Sequence, residues 1–195
     1  MRIISGIARG QRIFTPTRGN IVNHIRPTSD KVREAIFNII CDRLSAANVL
    51  DLFAGTGALG IEALSRGCNH VVFVDKSSEA VKLINRNLNK CGFSNKATVF
   101  RRDLLKSPSF LKKCNPASGF ELIFADPPYR KGYSARLLET IIKLDLLNNN
   151  GLLVVEEAKD VELPEKEGSL SLADRRKYGD TNVCIYTKEL GRGKL

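Results

Sequence analysis

Tryptophan is missing from this chain, methionine occurs once, and His24 and His70 are the only imidazoles. A Ser-His or Cys-His hydrolase relay therefore has little to work with, since His24 falls in a polar loop and His70 at the start of an apolar strand. The five cysteines, Cys41, Cys68, Cys91, Cys114 and Cys184, are odd in number, far apart and never in a C-x-x-C pair. That spacing argues against a zinc site or a disulfide framework, so no metal is expected and the thiols read as reduced and mostly buried. No apolar run approaches the roughly 18 residues of a membrane helix. Met1 to Gly6 lacks the apolar core of a signal peptide, and a soluble, cytoplasmic protein is expected. Acids are also in deficit, 21 against 31 lysines and arginines, for a net charge of +10. The excess is uneven. Over residues 1–33, seven bases (Arg2, Arg9, Arg12, Arg18, Arg26, Lys31, Arg33) face Asp30 alone, leaving +6. A basic arm of this kind suits a polyanionic partner, most simply nucleic acid, and the competing reading is a solvated basic surface.

With 195 residues, 43% of them hydrophobic, the chain can bury one substantial core. Residues 2–5 and 11–15 read as short strands of a basic hairpin ended by Pro16, an arm expected to be removable through residue 18 without loss of the fold. A helix is predicted over about 29–44, with Thr28 or Ser29 as N-cap. From residue 48 the pattern alternates: strand 48–53, helix 58–66, strand 71–75, helix 78–91, strand 97–102, a short helix near 104–113, strand 120–125, helix 134–147, strand 151–157. Near-continuous apolar strands such as Leu122-Ile123-Phe124-Ala125 belong in a parallel sheet covered on both faces. Beyond residue 157 the segments are β-like, Val183 to Thr187 most clearly, and antiparallel pairing at the sheet's end is expected. The fold class is thus α/β, Rossmann-like and doubly wound, with an N-terminal basic β-hairpin arm.

The chain is organised around Val49-Leu50-Asp51-Leu52-Phe53-Ala54-Gly55-Thr56-Gly57-Ala58-Leu59-Gly60, an apolar strand entering a helix through a G-x-G-x-x-G spacing. Alone, that spacing also suits a tight turn with close helix packing. Asp51 narrows the choice, because a carboxylate before the glycine loop repels a pyrophosphate and suits a cation. Asp75 ends the next strand 20 positions after Gly55, where an acid can accept hydrogen bonds from ribose hydroxyls. Acid, glycine loop, acid reads as a site for an adenosine carrying positive charge, such as S-adenosylmethionine. Right-handed crossovers bring Asp51, Asp75, Arg102-Asp103 and Asp126-Pro127-Pro128-Tyr129 to one sheet edge. Asp103 can serve an adenine amino group or cap a helix before Leu104. The two prolines stiffen their loop and remove two donors, leaving an acceptor pocket suited to an exocyclic amine on a nucleobase. Asp126 and the Pro127 carbonyl can accept its N–H groups while Tyr129 stacks on the ring, which frees the nitrogen lone pair for in-line attack on a sulfonium methyl. Guanine N2 and adenine N6 both satisfy this pocket.

Taken with Arg2-Ile3-Ile4-Ser5-Gly6, Arg26-Pro27-Thr28, Val32-Arg33-Glu34, Val74-Asp75 and Tyr178-Gly179, these motifs make nearly the whole chain resemble the bacterial guanine-N2 methyltransferases of small-subunit (16S) ribosomal RNA, which are class I S-adenosylmethionine-dependent methyltransferases. The resemblance implies a cofactor site at Asp51, Gly55, Gly57, Asp75, Asp103 and Asp126, with Phe53, Lys76 and Leu104 beside them and Arg26 and Thr28 near cofactor or substrate. It implies catalysis by Asp126, Pro127 and Tyr129, and RNA contacts from the basic arm (Arg2, Arg9, Arg12, Arg18) and the late hairpin. The expected organisation is an arm over 1–25, a methyltransferase domain over 26–190 and a frayed tail over 191–195, acting as a monomer on ribosomal RNA or the small subunit. An adenine-N6 methyltransferase would need a target-recognition segment for which there is little room. A non-catalytic nucleic-acid-binding module leaves the acidic edge unexplained, and a nicotinamide dehydrogenase is disfavoured by Asp51.

Overall fold

Alternating apolar runs and capped helices become a single mixed sheet in the computed structural model, which describes residues 1–16 and 29–189. The four strands β1 (Asn48–Leu52), β2 (His70–Asp75), β3 (Ala97–Arg101) and β4 (Phe120–Ala125) are mutually parallel. β5 (Leu147–Ala158) pairs parallel with β4, and the chain then returns through β6 (Lys166–Glu167), β7 (Leu170–Tyr178) and β8 (Thr181–Lys188), all antiparallel, in the order β3-β2-β1-β4-β5-β8-β7-β6. One face of the sheet packs against α1 (Asp30–Ile39), α2 (Ala58–Ser65) and α3 (Ser78–Cys91); the other packs against α4 (Tyr133–Leu144) and a 3₁₀ turn at Pro108–Lys113. Helix starts follow their capping residues. Ser29 accepts the Val32 N–H and Ser77 the Ala80 N–H, and Gly92 at φ 74° ends α3.

Several boundaries depart from the sequence expectation for local reasons. The helix predicted to reach residue 44 stops at Ile39 and tightens into a 3₁₀ turn at Cys41–Arg43. The short helix predicted from 104 starts only at Pro108, because the backbone at 103–107 is committed to a turn around Asp103. α4 ends at Leu144 because Asp145 takes φ 52°, which releases Leu147 to begin β5 four residues earlier than predicted. Only Cys68 and Cys184 are buried among the five cysteines, and Cys41 is exposed, so the expectation of mostly buried thiols is too broad.

The amino-terminal segment is the largest correction. A single antiparallel bridge, Arg2 to Arg12, closes it, and it lies on the helices instead of projecting as a removable arm. Ile3 and Ile13 are buried in the core while Arg2, Arg9 and Arg12 face outward, as period-2 alternation requires. Its polar anchor is Glu62, fully buried within α2, whose carboxylate accepts the Ile4 and Ser5 N–H groups at 2.8 and 2.9 Å and the Arg66 Nε at 2.8 Å. Arg33, also fully buried, donates to the Arg2 carbonyl and to Asp30 and lies 3.8 Å from Glu62. Gly6 is required where the chains touch: a β-carbon there would stand 1.8 Å from the Ser65 carbonyl oxygen. Removing residues 1–18 would strip apolar cover from the core and orphan a buried carboxylate, so the expectation that the fold survives this deletion does not hold.

Candidate active site

Strand register assembles the crevice. Leu52 of β1 pairs with Val74 and with Ala125, Ala125 pairs with Val155, and Asp75 pairs with Arg101. The carboxyl ends of β1, β2, β4 and β5 therefore deliver Phe53, Asp75, Asp126 and Glu156 side by side, at the point where connections leave β1 and β4 in opposite directions and where open α/β sheets bind ligands.

The glycine loop is held by acids. Asp51, 2% exposed, accepts the Gly60 N–H at 2.9 Å in the first turn of α2, one of the donors a helix leaves without an internal partner. Burial, with Asp75 and Glu156 nearby, pushes the Asp51 carboxyl up to about 8, although the Gly60 N–H pulls the other way. Asp75 accepts the Gly55 N–H at 2.9 Å through one oxygen and the Ser77 N–H at 2.8 Å through the other, which fixes its plane and leaves each oxygen a second lone pair. Phe53 takes φ 58°, a conformation a bulky side chain adopts only under constraint, and its ring lines a narrow pocket with Asp75, Lys76, Asp103, Leu104 and Pro128. Gly60 allows α2 to lie directly on β2, since a β-carbon there would meet the Phe73 ring at 2.3 Å.

The proline loop is clamped at its far end. Glu157, fully buried in β5, accepts the Arg130 N–H at 3.1 Å, the Ala158 N–H at 2.8 Å and the Ser134 hydroxyl at 2.8 Å. Arg130 is held at φ 59° and its guanidinium grips Asp160 with two contacts of 2.9 Å. Pro127 is buried, and the Tyr129 hydroxyl shares a 3.2 Å hydrogen bond with Thr181.

Of the residues expected in the site, Asp51, Phe53, Gly55, Gly57, Asp75, Lys76, Asp103, Leu104, Asp126, Pro127 and Tyr129 gather along this edge. Asp103 accepts the Leu105 N–H at 3.0 Å and nucleates a turn, in place of the helix cap considered from sequence. Arg26, Thr28, Arg18 and His24, like the tail 191–195, lie outside the described residues. Arg2, Arg9 and Arg12 are exposed on the docked amino-terminal segment, away from the glycine loop in sequence but tied to it by a residue that sequence reasoning missed. Asn87 of α3, fully buried, accepts the Phe14 N–H at 2.7 Å and donates to the Phe14 carbonyl at 3.1 Å and the Thr56 carbonyl of the glycine loop at 3.0 Å. Its signal was available: Ala80, Ile84, Asn87 and Leu88 share the apolar face of α3. Glu62, the one charge in an otherwise apolar α2, carried the same signal. Among the described residues no group of three His, Cys, Asp or Glu side chains is arranged to hold a metal.

The family model described as conserved hypothetical protein 95 matches residues 1–187. Ribosomal RNA small subunit methyltransferase D of Escherichia coli is 32% identical over 195 residues, covering 97% of this chain and 90% of its own. The chain belongs to this family. A Bacillus subtilis relative, described as a candidate rRNA methyltransferase, is 39% identical over 188 residues, 96% of this chain and 99% of its own. The solved structure of a Thermus thermophilus protein of no assigned function is 30% identical and superposes with a TM-score of 0.77, covering 97% of this chain and 99% of that one. The fold is shared with a solved RNA methyltransferase of Salinibacter ruber, 14% identical, with a TM-score of 0.62.

Proposed function

We propose that the protein transfers a methyl group from S-adenosylmethionine to the exocyclic N2 amine of a guanine in small-subunit ribosomal RNA. The observation that carries the reading is the pairing, one strand apart, of an acid-lined glycine loop with a rigid acceptor loop. Asp51, Asp75 and Glu156 bring three carboxyl groups to the crevice, with burial raising that of Asp51 to about 8, and a ligand bearing sulfonium and ammonium groups fits because its positive charge favours the ionised form of Asp51. The free lone pairs of Asp75 fit ribose hydroxyls, and the pocket of Phe53, Leu104 and Asp103 fits an adenine ring with its amino group. Bound there, S-adenosylmethionine supplies an electrophilic methyl group.

The chain's own residues then prepare the acceptor. An exocyclic amine is a weak nucleophile because its lone pair is delocalised into the base. Asp126 and the Pro127 carbonyl accept its two N–H groups, draw the nitrogen toward a tetrahedral shape and point its lone pair at the methyl, while the Tyr129 ring carries the base; on transfer the C–N bond would form as the methyl–sulfur bond breaks, S-adenosylhomocysteine would leave, and the surplus amine proton would pass to water. The clamp of Glu157 on Arg130 and Ser134 keeps these acceptors in place without a covalent intermediate. Arg2, Arg9 and Arg12, exposed on the docked segment, supply phosphate contacts. We place the protein in the cytoplasm as a monomer, where its ribosomal substrate is made. The choice of guanine N2 over adenine N6 rests on relatedness to small-subunit rRNA methyltransferases, since the acceptor loop serves either amine. Methylated RNA digested to nucleosides is expected to yield N2-methylguanosine by mass and chromatography. N6-methyladenosine as the sole product refutes the base assignment.

A further inference from the structure

α3 carries a line of cations that the methyl-transfer chemistry does not use. Lys82, Arg86 and Lys90 are all exposed and four residues apart, so they form one stripe along the helix with a spacing of about 6 Å. Among the described residues none of the three is within salt-bridge distance of an acid. Two of them are pre-oriented by the amino-terminal segment: the Arg86 guanidinium lies 3.5 Å from the centre of the Phe14 ring and the Lys90 ammonium 4.5 Å from it. Holding a long cation on an aromatic face lowers the side-chain entropy lost when it meets an anion. Gln11 donates to the Lys90 carbonyl at 3.5 Å, which brings the amino-terminal segment that carries exposed Arg12 to this end of α3. At the other end α3 starts three residues after the crevice acid Asp75, beside a groove lined by Lys76, Arg101 and Arg102. Two acids also line that groove: Glu79, whose carboxylate accepts the Ser77 and Ser78 hydroxyls at 2.8 and 3.0 Å, and Asp103, which accepts the Leu105 N–H at 3.0 Å.

A solvated charged helix face ordinarily mixes signs or pairs them. From Lys82 to Lys90 this face carries no acid, Glu79 lying one turn before it, and it runs from the rim of the catalytic crevice to the basic segment. We infer that Lys82, Arg86 and Lys90, with Arg12, form a docking track for the sugar–phosphate backbone of the RNA that flanks the target nucleotide. The inference rests on the RNA substrate proposed above and adds to it a surface on α3. Its contacts position the strand and carry no base specificity.

The test is the salt dependence of binding to an in vitro transcript of small-subunit ribosomal RNA, for the wild type and for Lys82→Gln/Arg86→Gln/Lys90→Gln. Each lost phosphate contact on a single strand lowers the slope of log K against log salt by about 0.7, so the triple variant is expected to lose roughly two. Calorimetric affinity for S-adenosylmethionine should not change, and the RNA KM should rise while kcat holds. Arg136→Gln/Lys143→Gln, which removes two exposed cations from α4 on the opposite face, should leave the slope as it is. If loss of the Phe14 contacts lowers the melting temperature of the triple variant, Lys82→Gln, which stacks on no ring, should still lower the slope by about 0.7. A steep wild-type slope matched by the variants overturns the track and spares the RNA reading. A wild type with no salt-dependent RNA binding overturns both.

Discussion

Replacing Glu62 with alanine tests the anchoring of the amino-terminal segment directly. The carboxylate is fully buried and receives two backbone N–H groups and the Arg66 Nε, all within 2.9 Å, with the buried Arg33 guanidinium at 3.8 Å. Breaking one side of a buried ion pair costs about 3–5 kcal/mol because the surviving charge is left in a low dielectric. Among the described residues Arg33 has no hydrogen-bond partner at Nε or Nη1, so beyond Asp30 and the Arg2 carbonyl, which it already contacts, none of them replaces Glu62 as an acceptor. Orphaning the Ile4 and Ser5 N–H groups adds about 1 kcal/mol or more each, less what water recovers at the edge of the segment. These contributions share atoms and do not add fully, so a total of about 4–6 kcal/mol is expected, comparable with the whole stability of many domains. For a chain of this size that corresponds to a drop in melting temperature of about 10–20 °C by calorimetry or circular dichroism. Glu62→Leu combined with Arg33→Met should recover part of the loss, since it removes both charges and keeps the volume apolar. A Glu62→Ala protein melting within about 3 °C of wild type would refute the anchoring argument.

Asp75→Ala should weaken S-adenosylmethionine binding by about 1.5–3 kcal/mol, or roughly 10- to 150-fold, through lost charge-assisted hydrogen bonds; equal affinities by calorimetry would remove Asp75 from the site. Asp126→Ala should abolish turnover while leaving cofactor affinity largely intact, and near-normal methyl transfer would sink the proposed role of the acceptor loop. Asp51 gives a pH dependence with a definite sign. Its carboxyl titrates at about 8 in the folded protein against about 3.9 unfolded, so between these values the native state holds the extra proton and stability falls as pH rises. Asp51→Asn, which keeps an acceptor for the Gly60 N–H, should therefore gain on the wild type in melting temperature as pH is raised from 6 to 9. A constant difference across that range would mean that Asp51 is ionised throughout.

Most of the strand and helix pattern was legible because it rests on local rules. α3 and β4 begin and end where their periodicity and flanking residues indicate, with Ser77 and Gly92 bounding the helix. Ends that depend on one backbone conformation were not: Asp145 at φ 52° shortens α4 and lengthens β5, and no composition rule singles out that aspartate. The acids and prolines of the site were legible because strand ends in a parallel sheet share an edge. Their supports were not, because each is a long-range pairing: Glu62 with Ile4, Asn87 with Phe14 and Glu157 with Arg130 are separated by 58, 73 and 27 positions. What the sequence offered was only half of each pair, a polar side chain on an apolar face.

That difference between supports and site residues extends to their electrostatics. Glu62 is buried beside Arg33 and Arg66, and Glu157 is buried beneath backbone and hydroxyl donors, so the fold itself supplies both with donors. Asp51 is as deeply buried, yet among the described residues its neighbours in charge are Asp75 and Glu156, and the one donor it receives is the Gly60 N–H. Such an arrangement lowers stability at neutral and higher pH, and a sequence under selection for stability alone would place asparagine or a cation there. A ligand that brings positive charge relieves the repulsion on binding. It should thus raise the melting temperature more at pH 8 than at pH 6, because only the ionised carboxylate profits from the added cation.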